Sequence, residues 1–174
     1  MGLRVQAVEP IRFPVPVVID TREQRPFAFV GLRGLKSLGS PLMVIDTVRS
    51  TLKSGDYSLE GYESQVSIER KSVADLYGTL AKGRARFERE LARLSAMAFA
   101  CVIVEGEWSE VLAYPERIGG RLSASSIFRS VLAWQQRFRA QWLFLPTREH
   151  AEAATFRALE RFYLDSLTRT EAKS

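Results

Sequence analysis

Val66-Ser67-Ile68-Glu69-Arg70-Lys71-Ser72-Val73-Ala74-Asp75-Leu76 decides how this chain reads, because a strand signal and a helix signal meet there without a gap. Val66 to Arg70 is a strand candidate; alternate residues share a face, so Glu69 and Lys71 project together while Ile68 and Arg70 project the other way. Ser72 with Asp75 three residues later is a capping-box pattern, which predicts a helix from there to about Tyr77 or Leu80, before Gly83. In that pattern Asp75 is a helix-start acid.

The strand face has a usable chemistry. Glu69 can ligate a hard cation, and Lys71 can hold a water or steady a phosphate oxygen. Gly55-Asp56-Tyr57 opens the preceding strand, and Gly61 turns the chain back, so a hairpin can set Asp56 beside Glu69. Two carboxylates with open water positions suit Mg2+ or Mn2+, which are usually held by few protein oxygens plus substrate phosphate. Further upstream, Val15 to Ile19 is a buried-strand run that ends in Asp20-Thr21-Arg22-Glu23. Its two acids could complete a cation site, and Arg22 could contact phosphate or pair with one of them.

Outward from this centre the pattern alternates. Leu42 to Val48 is a second strand candidate. Arg84 to Ala98 has Phe87, Leu91, Leu94 and Ala98 at helical spacing, and Ala100 to Val104 is an apolar strand. Ser123 to Phe138 is helical, Trp142 to Leu145 a short strand, and Thr147 caps a last helix from Glu149 to about Leu167. Strands separated by helical crossovers predict an α/β fold with a partly parallel sheet covered by helices. One domain over 1–174 is expected, with its core at about 15–167.

The composition fits that architecture: 46% of the 174 residues are hydrophobic, enough for one core. No apolar run approaches the roughly 18 residues of a membrane span, and the N-terminus lacks a signal-peptide core. Cys101 sits alone in an apolar run and reads as a buried small side chain, so a reducing, cytoplasmic setting is expected. The net charge of +5 suits a polyanionic partner, and Lys82 to Arg93 concentrates five basic residues against Glu88 and Glu90. Arg86 and Glu90 lie four apart, facing the site or forming a surface pair. His150 reads as a surface or capping residue. Trp134, Phe138 and Trp142 read as core or dimer contacts rather than base-stacking platforms, and Gly119-Gly120-Arg121 as a turn.

Three blocks in order, Ile19 to Glu23, Leu52 to Tyr57 and Ile68 to Leu76, resemble the nuclease domain of XPF-type structure-specific endonucleases, whose hallmark is Gly-Asp, a spacer, Glu-Arg-Lys, three residues and Asp. Gly83 to Glu90 and the strand at Val102 to Gly106 continue the likeness, which covers about residues 15–165. The resemblance implies a restriction-endonuclease-like fold with a mixed central sheet, Mg2+ or Mn2+ dependence, and hydrolysis of branched, flapped or forked DNA. It assigns catalysis to Asp56, Glu69 and Lys71, with Asp20 and Glu23 as upstream acids. Asp56, Glu69 and Asp20 are the expected metal ligands, Asp20 being preferred over Glu23. Arg22, Arg70, Lys82, Arg84 and Arg86 are the expected DNA contacts, while Asp75 and Glu90 are supporting residues. The family's helix-hairpin-helix module and helicase half are not found in the sequence. Targeting is therefore expected from homodimerisation or heterodimerisation, with the helix from Ile127 to Phe138 as candidate interface, or from a partner protein. The alternative is a catalytically silent DNA-binding or regulatory subunit; a nuclease of RNA or simple duplexes is a third reading.

Overall fold

A computed structural model describes residues 9–34 and 39–171. Six strands form one mixed sheet in the order β4 (Thr47–Ser50), β2 (Val17–Asp20), β5 (Tyr57–Leu59), β6 (Val66–Ser72), β7 (Phe99–Glu105) and β8 (Gln141–Leu145). β2, β5 and β6 run antiparallel as neighbours, whereas β6, β7 and β8 are parallel and need crossovers. Those crossovers are helical: α1 (Val73–Gly78) and α2 (Arg84–Leu94) precede β7, α3 (Trp108–Arg117) and α4 (Ala124–Phe138) precede β8, and α5 (Arg148–Glu171) closes the chain. No described helix is long and apolar enough to cross a membrane.

Both sheet faces are covered, which explains the unbroken apolar run of β7. Cys101 and Ile103 join Ile68, Tyr57 and Ile19 under Phe156 and Leu159 of α5. Ala100, Val102 and Val104 face Leu76, Phe87, Leu91, Val131 and Trp134 on the opposite side. Trp134, Phe138 and Trp142 are buried core residues, as read. Burial pushes the Cys101 thiol up to about 12, so it stays protonated and inert.

Two sequence expectations need correction, and one helix had no assigned range. The strand expected over 42–48 is divided: β3 (Met43–Val44) pairs with β1 (Ile11–Arg12) in a separate two-stranded sheet, and β4 pairs with β2. Asp46 lies between them; its carbonyl accepts from the Val17 amide and its carboxylate pairs with Arg12, anchoring the bend. The two helices expected on either side of Gly83 are one continuous run, because a π-helical stretch over Thr79–Gly83 carries α1 into α2. Helix α3 was not assigned from sequence. Its inward face has few fully buried residues, Val111 and Pro115 among them, and a proline in the last turns hides the periodicity.

The capping box is formed as read: the Asp75 amide donates to Ser72 Oγ, and the Ser72 amide donates to the Asp75 carboxylate. Thr147 caps α5, and His150 Nδ1 lies 3.0 Å from its hydroxyl. This local chemistry turns the chain at the end of β6 and launches α1 beside Glu69 and Lys71.

Candidate active site

Backbone pairing gathers three strand ends. The Asp20 amide donates to the Asp56 carbonyl at 2.8 Å, and the Asp56 amide donates to the Ile68 carbonyl at 2.8 Å. The Arg70 amide donates to Asp56 Oδ2 at 2.7 Å, which holds that carboxylate against β6. Lys71 Nζ is 3.1 Å from Glu69 Oε1, so the two share a strand face as the alternation predicts. Asp56, Glu69 and Lys71 converge on an open cleft of about 860 Å3. Its other walls are Arg22, Glu23 and Gln24 from the β2 exit, and Asp75, Thr79, Lys82, Arg86, Phe87 and Glu90 from the α1–α2 run.

Electrostatics at the floor are strained. Burial, reinforced by the neighbouring Glu69 charge, pushes Asp56 up to about 8. Burial also raises Glu69, against the opposing pull of Lys71. Like charges held together in a cleft are what a bound divalent cation relieves. Among the described residues no three His, Cys, Asp or Glu cluster as a protein cage. The carboxylates at the cleft floor that could hold a hard cation are those of Asp56 and Glu69, the rest of its shell being left to water or substrate oxygens.

Gly55 sets the Asp56 position. Its φ is +74°, and an added Cβ would lie 2.0 Å from Ser67 Oγ and 3.0 Å from the Ile68 carbonyl. Its amide donates to Glu90 Oε1 at 3.0 Å, and Glu90 is braced by Arg93 rather than by Arg86. Gly55→Ala is expected to cost about 2–4 kcal/mol, from the left-handed backbone and the overpacking together. Denaturant melts check it; unchanged stability would refute the steric reading.

Four expected site residues sit otherwise than the sequence suggested. Asp20 does not line the cleft: its carboxylate is 1% exposed and saturated by the Arg22 amide, the Arg22 guanidinium and the Leu52 amide. Burial alone would raise Asp20, yet these donors hold it below the usual carboxylate range. The preference for Asp20 over Glu23 is thus reversed in position, since Glu23 does line the cleft. Glu23 is itself engaged, accepting from the Arg25 amide and pairing with Arg70 at 3.2 Å. Arg70 lines the cleft, but its side chain is engaged rather than free, clamped between Glu23 and Glu105 (2.8 Å) and lying over the Phe27 ring. Arg84 points away to α4, donating to Ser130 and lying over Trp134. Arg22 remains two-thirds exposed at the cleft despite its grip on Asp20. Lys82 and Arg86 line the cleft, and among the described residues neither has an ion-pair partner.

The sequence reading also missed residues. Glu105 and Arg148 (2.9 Å) complete the Arg70 network, and Arg148 also holds the Arg25 and Pro26 carbonyls. A charged residue closing an apolar parallel strand, as Glu105 does, is the signal that was available. Gln24 and Thr79 carried no signal of their own.

The ERCC4 domain profile matches residues 19–157. No curated protein matches the chain. Among solved structures, XPF from Aeropyrum pernix is 24% identical with a TM-score of 0.59, the match covering 88% of this chain and 61% of that one. XPF from Aeropyrum pernix in complex with DNA is 23% identical with a TM-score of 0.59, covering 87% and 66%. The likeness reproduces the fold, a mixed sheet flanked by helices, and the chain spans less than two thirds of the length of either structure. With the matched profile covering most of the sequence and the acidic cleft inside it, the chain belongs to the ERCC4 domain family.

Proposed function

We propose that this protein is a metal-dependent DNA endonuclease, hydrolysing phosphodiester bonds in branched, flapped or forked DNA. The observation that carries the reading is the convergence of Asp56, Glu69 and Lys71 on one open cleft, at the spacing of the family hallmark. DNA as the substrate class is supported by the family and by the complex of Aeropyrum pernix XPF with DNA. Repair, recombination or replication is the setting that such substrates imply.

Asp56 and Glu69 would hold Mg2+ or Mn2+. That ion would neutralise charge on the scissile phosphate and lower the pKa of a bound water. Lys71 contributes a fixed ammonium at the same edge, able to hold a phosphate oxygen or the attacking water. The water oxygen would form a bond to phosphorus as the bond to the leaving oxygen breaks; the water's proton passes to solvent, and the departing alkoxide takes a proton from solvent to leave as a hydroxyl. Lys82 and Arg86, one turn apart and without an ion-pair partner among the described residues, would supply phosphate contacts, with Arg22 also at the cleft. Substrate choice would come from dimerisation or a targeting protein. A dimer through α4 would use Phe128 and Leu132, because Ile127, Val131, Trp134 and Phe138 are spent on the core.

The test is a panel of flap, fork, four-way and linear substrates with Mg2+, Mn2+ or chelator. Cleavage of branched substrates is expected with either metal and none with chelator, and Glu69→Gln should bind DNA without cutting it. Binding by the wild type with no cleavage anywhere would instead mark a silent DNA-binding subunit. Lys82→Ala and Arg86→Ala should each weaken binding on all sequences and lower the salt slope by about 1. Unchanged slopes in filter-binding titrations would remove them from the phosphate track.

A further inference from the structure

We infer that Phe87 is the positioning residue for Lys71, holding its ammonium at the cleft through the face of its ring. Lys71 is 8% exposed, so its charge has lost most of its water. An ammonium has three donors and no acceptor, and burying it requires compensation on more than one side. Glu69 supplies one side at 3.1 Å. The other is the Phe87 ring, whose centroid lies 4.2 Å from Nζ, well within the range of cation–π attraction.

The ring is itself immobilised. Phe87 is 5% exposed and packs edge-on to Trp134 at 5.3 Å and to Trp142 at 6.1 Å. The Trp134 indole N–H donates to Glu88 Oε1 at 2.9 Å, tying that stack back to α2. A lysine stem has four carbons and many rotamers, and one carboxylate fixes a single direction. A locked ring beneath the ammonium removes the remaining freedom, keeping the charge directed along the cleft wall. Phe87 touches no reacting atom in this scheme; it acts through Lys71.

The catalytic consequence rests on the nuclease reading, so the test pairs a measurement that needs no cleavage with one that does. Ring-current shifts on the Lys71 Cε methylene protons, assigned by comparison with Lys71→Met, report the ammonium's seat in the resting protein. They should lie upfield in the wild type, return to ordinary values in Phe87→Leu, and stay upfield in Phe87→Tyr. On a cleavable flap, Phe87→Leu should lower kcat about tenfold with KM within about twofold, as expected from losing a desolvated cation–π contact. Phe87→Tyr should recover most of the rate. Unshifted Lys71 protons in the wild type would overturn the proposal. So would a Phe87→Leu rate that is unchanged, or one that falls only with melting temperature and is not rescued by Tyr. A wild type with shifted protons that cuts no substrate would retain the seat and overturn the nuclease reading instead.

Discussion

Asp56→Asn is expected to abolish cleavage while raising the melting temperature of the metal-free protein. An unfolded aspartate titrates near 4, whereas burial and the Glu69 charge put folded Asp56 at about 8. The metal-free fold therefore binds this proton more tightly than the unfolded chain does. Its contribution to stability is fully present below about pH 4 and is lost as pH rises through about 8. Asn imitates the protonated form, keeps an acceptor for the Arg70 amide, and removes repulsion with Glu69. The gain at pH 7.5 is on the order of 2–4 kcal/mol, or roughly 5–15 °C for a domain of this size. The gap between variant and wild type should close towards pH 4 and widen up to about pH 8.

The same shift predicts metal linkage. A cation at Asp56 displaces its proton, so apparent Mg2+ affinity should rise with pH up to about 8 and then level off. Added Mg2+ should raise the wild-type melting temperature by mass action and leave Asp56→Asn unmoved. Full cleavage by the Asn variant, or a lower melting temperature in chelator, would refute this account of the site.

Arg70→Ala should produce the largest loss of stability. The guanidinium sits between Glu23 and Glu105, its side chain 9% exposed, on the α5 face of β6. Removing it leaves Glu23 buried with only an amide for company, and Glu105 held by Arg148 alone. Truncating one partner of a buried ion pair costs about 3–5 kcal/mol, because the remaining charge stays desolvated. Pairing the change with Glu23→Gln should recover part of the loss, and a double-mutant cycle by urea denaturation measures the coupling. Additive losses would show that Arg70 and Glu23 do not act as a unit. Cleavage should fall as well, since this network fixes the segment that carries Arg22 and Glu23 into the cleft.

Local signals read well in this chain because they depend on neighbours in sequence. The alternation of β6, the Ser72–Asp75 capping box, the helical face of Phe87, Leu91 and Leu94, and the Thr147 cap all follow from dihedral and hydrogen-bonding preferences over a few residues. The pairing of Glu69 with Lys71 follows from strand geometry in the same way. Where local signals were weak or divided, as across Asp46 and along α3, the assignment failed.

Side-chain allegiance at strand ends was another matter. Asp20, at the end of β2, could face cleft or core; only the Leu52 amide and the folding back of Arg22 turn it inward. Arg70 looks like a cation free for phosphate until Glu105, 35 residues on, meets it in the β6–β7 register. Phe87 counts in sequence as one more apolar helix position, and only the packing of α2 on β6 sets its ring under Lys71. The larger strands and helices, apart from β1, the β3–β4 division and α3, and the triad Asp56, Glu69 and Lys71 were legible in the sequence, since they rest on short-range periodicity and the hallmark string. The tertiary structure decided which carboxylates stay open and which are sealed by arginine. That choice is made by desolvation and by donors of both kinds: Arg22 reaches Asp20 from two residues away, whereas the Leu52 amide on Asp20 and the Arg70–Glu105 pair join groups 30 or more residues apart, which no local pattern records.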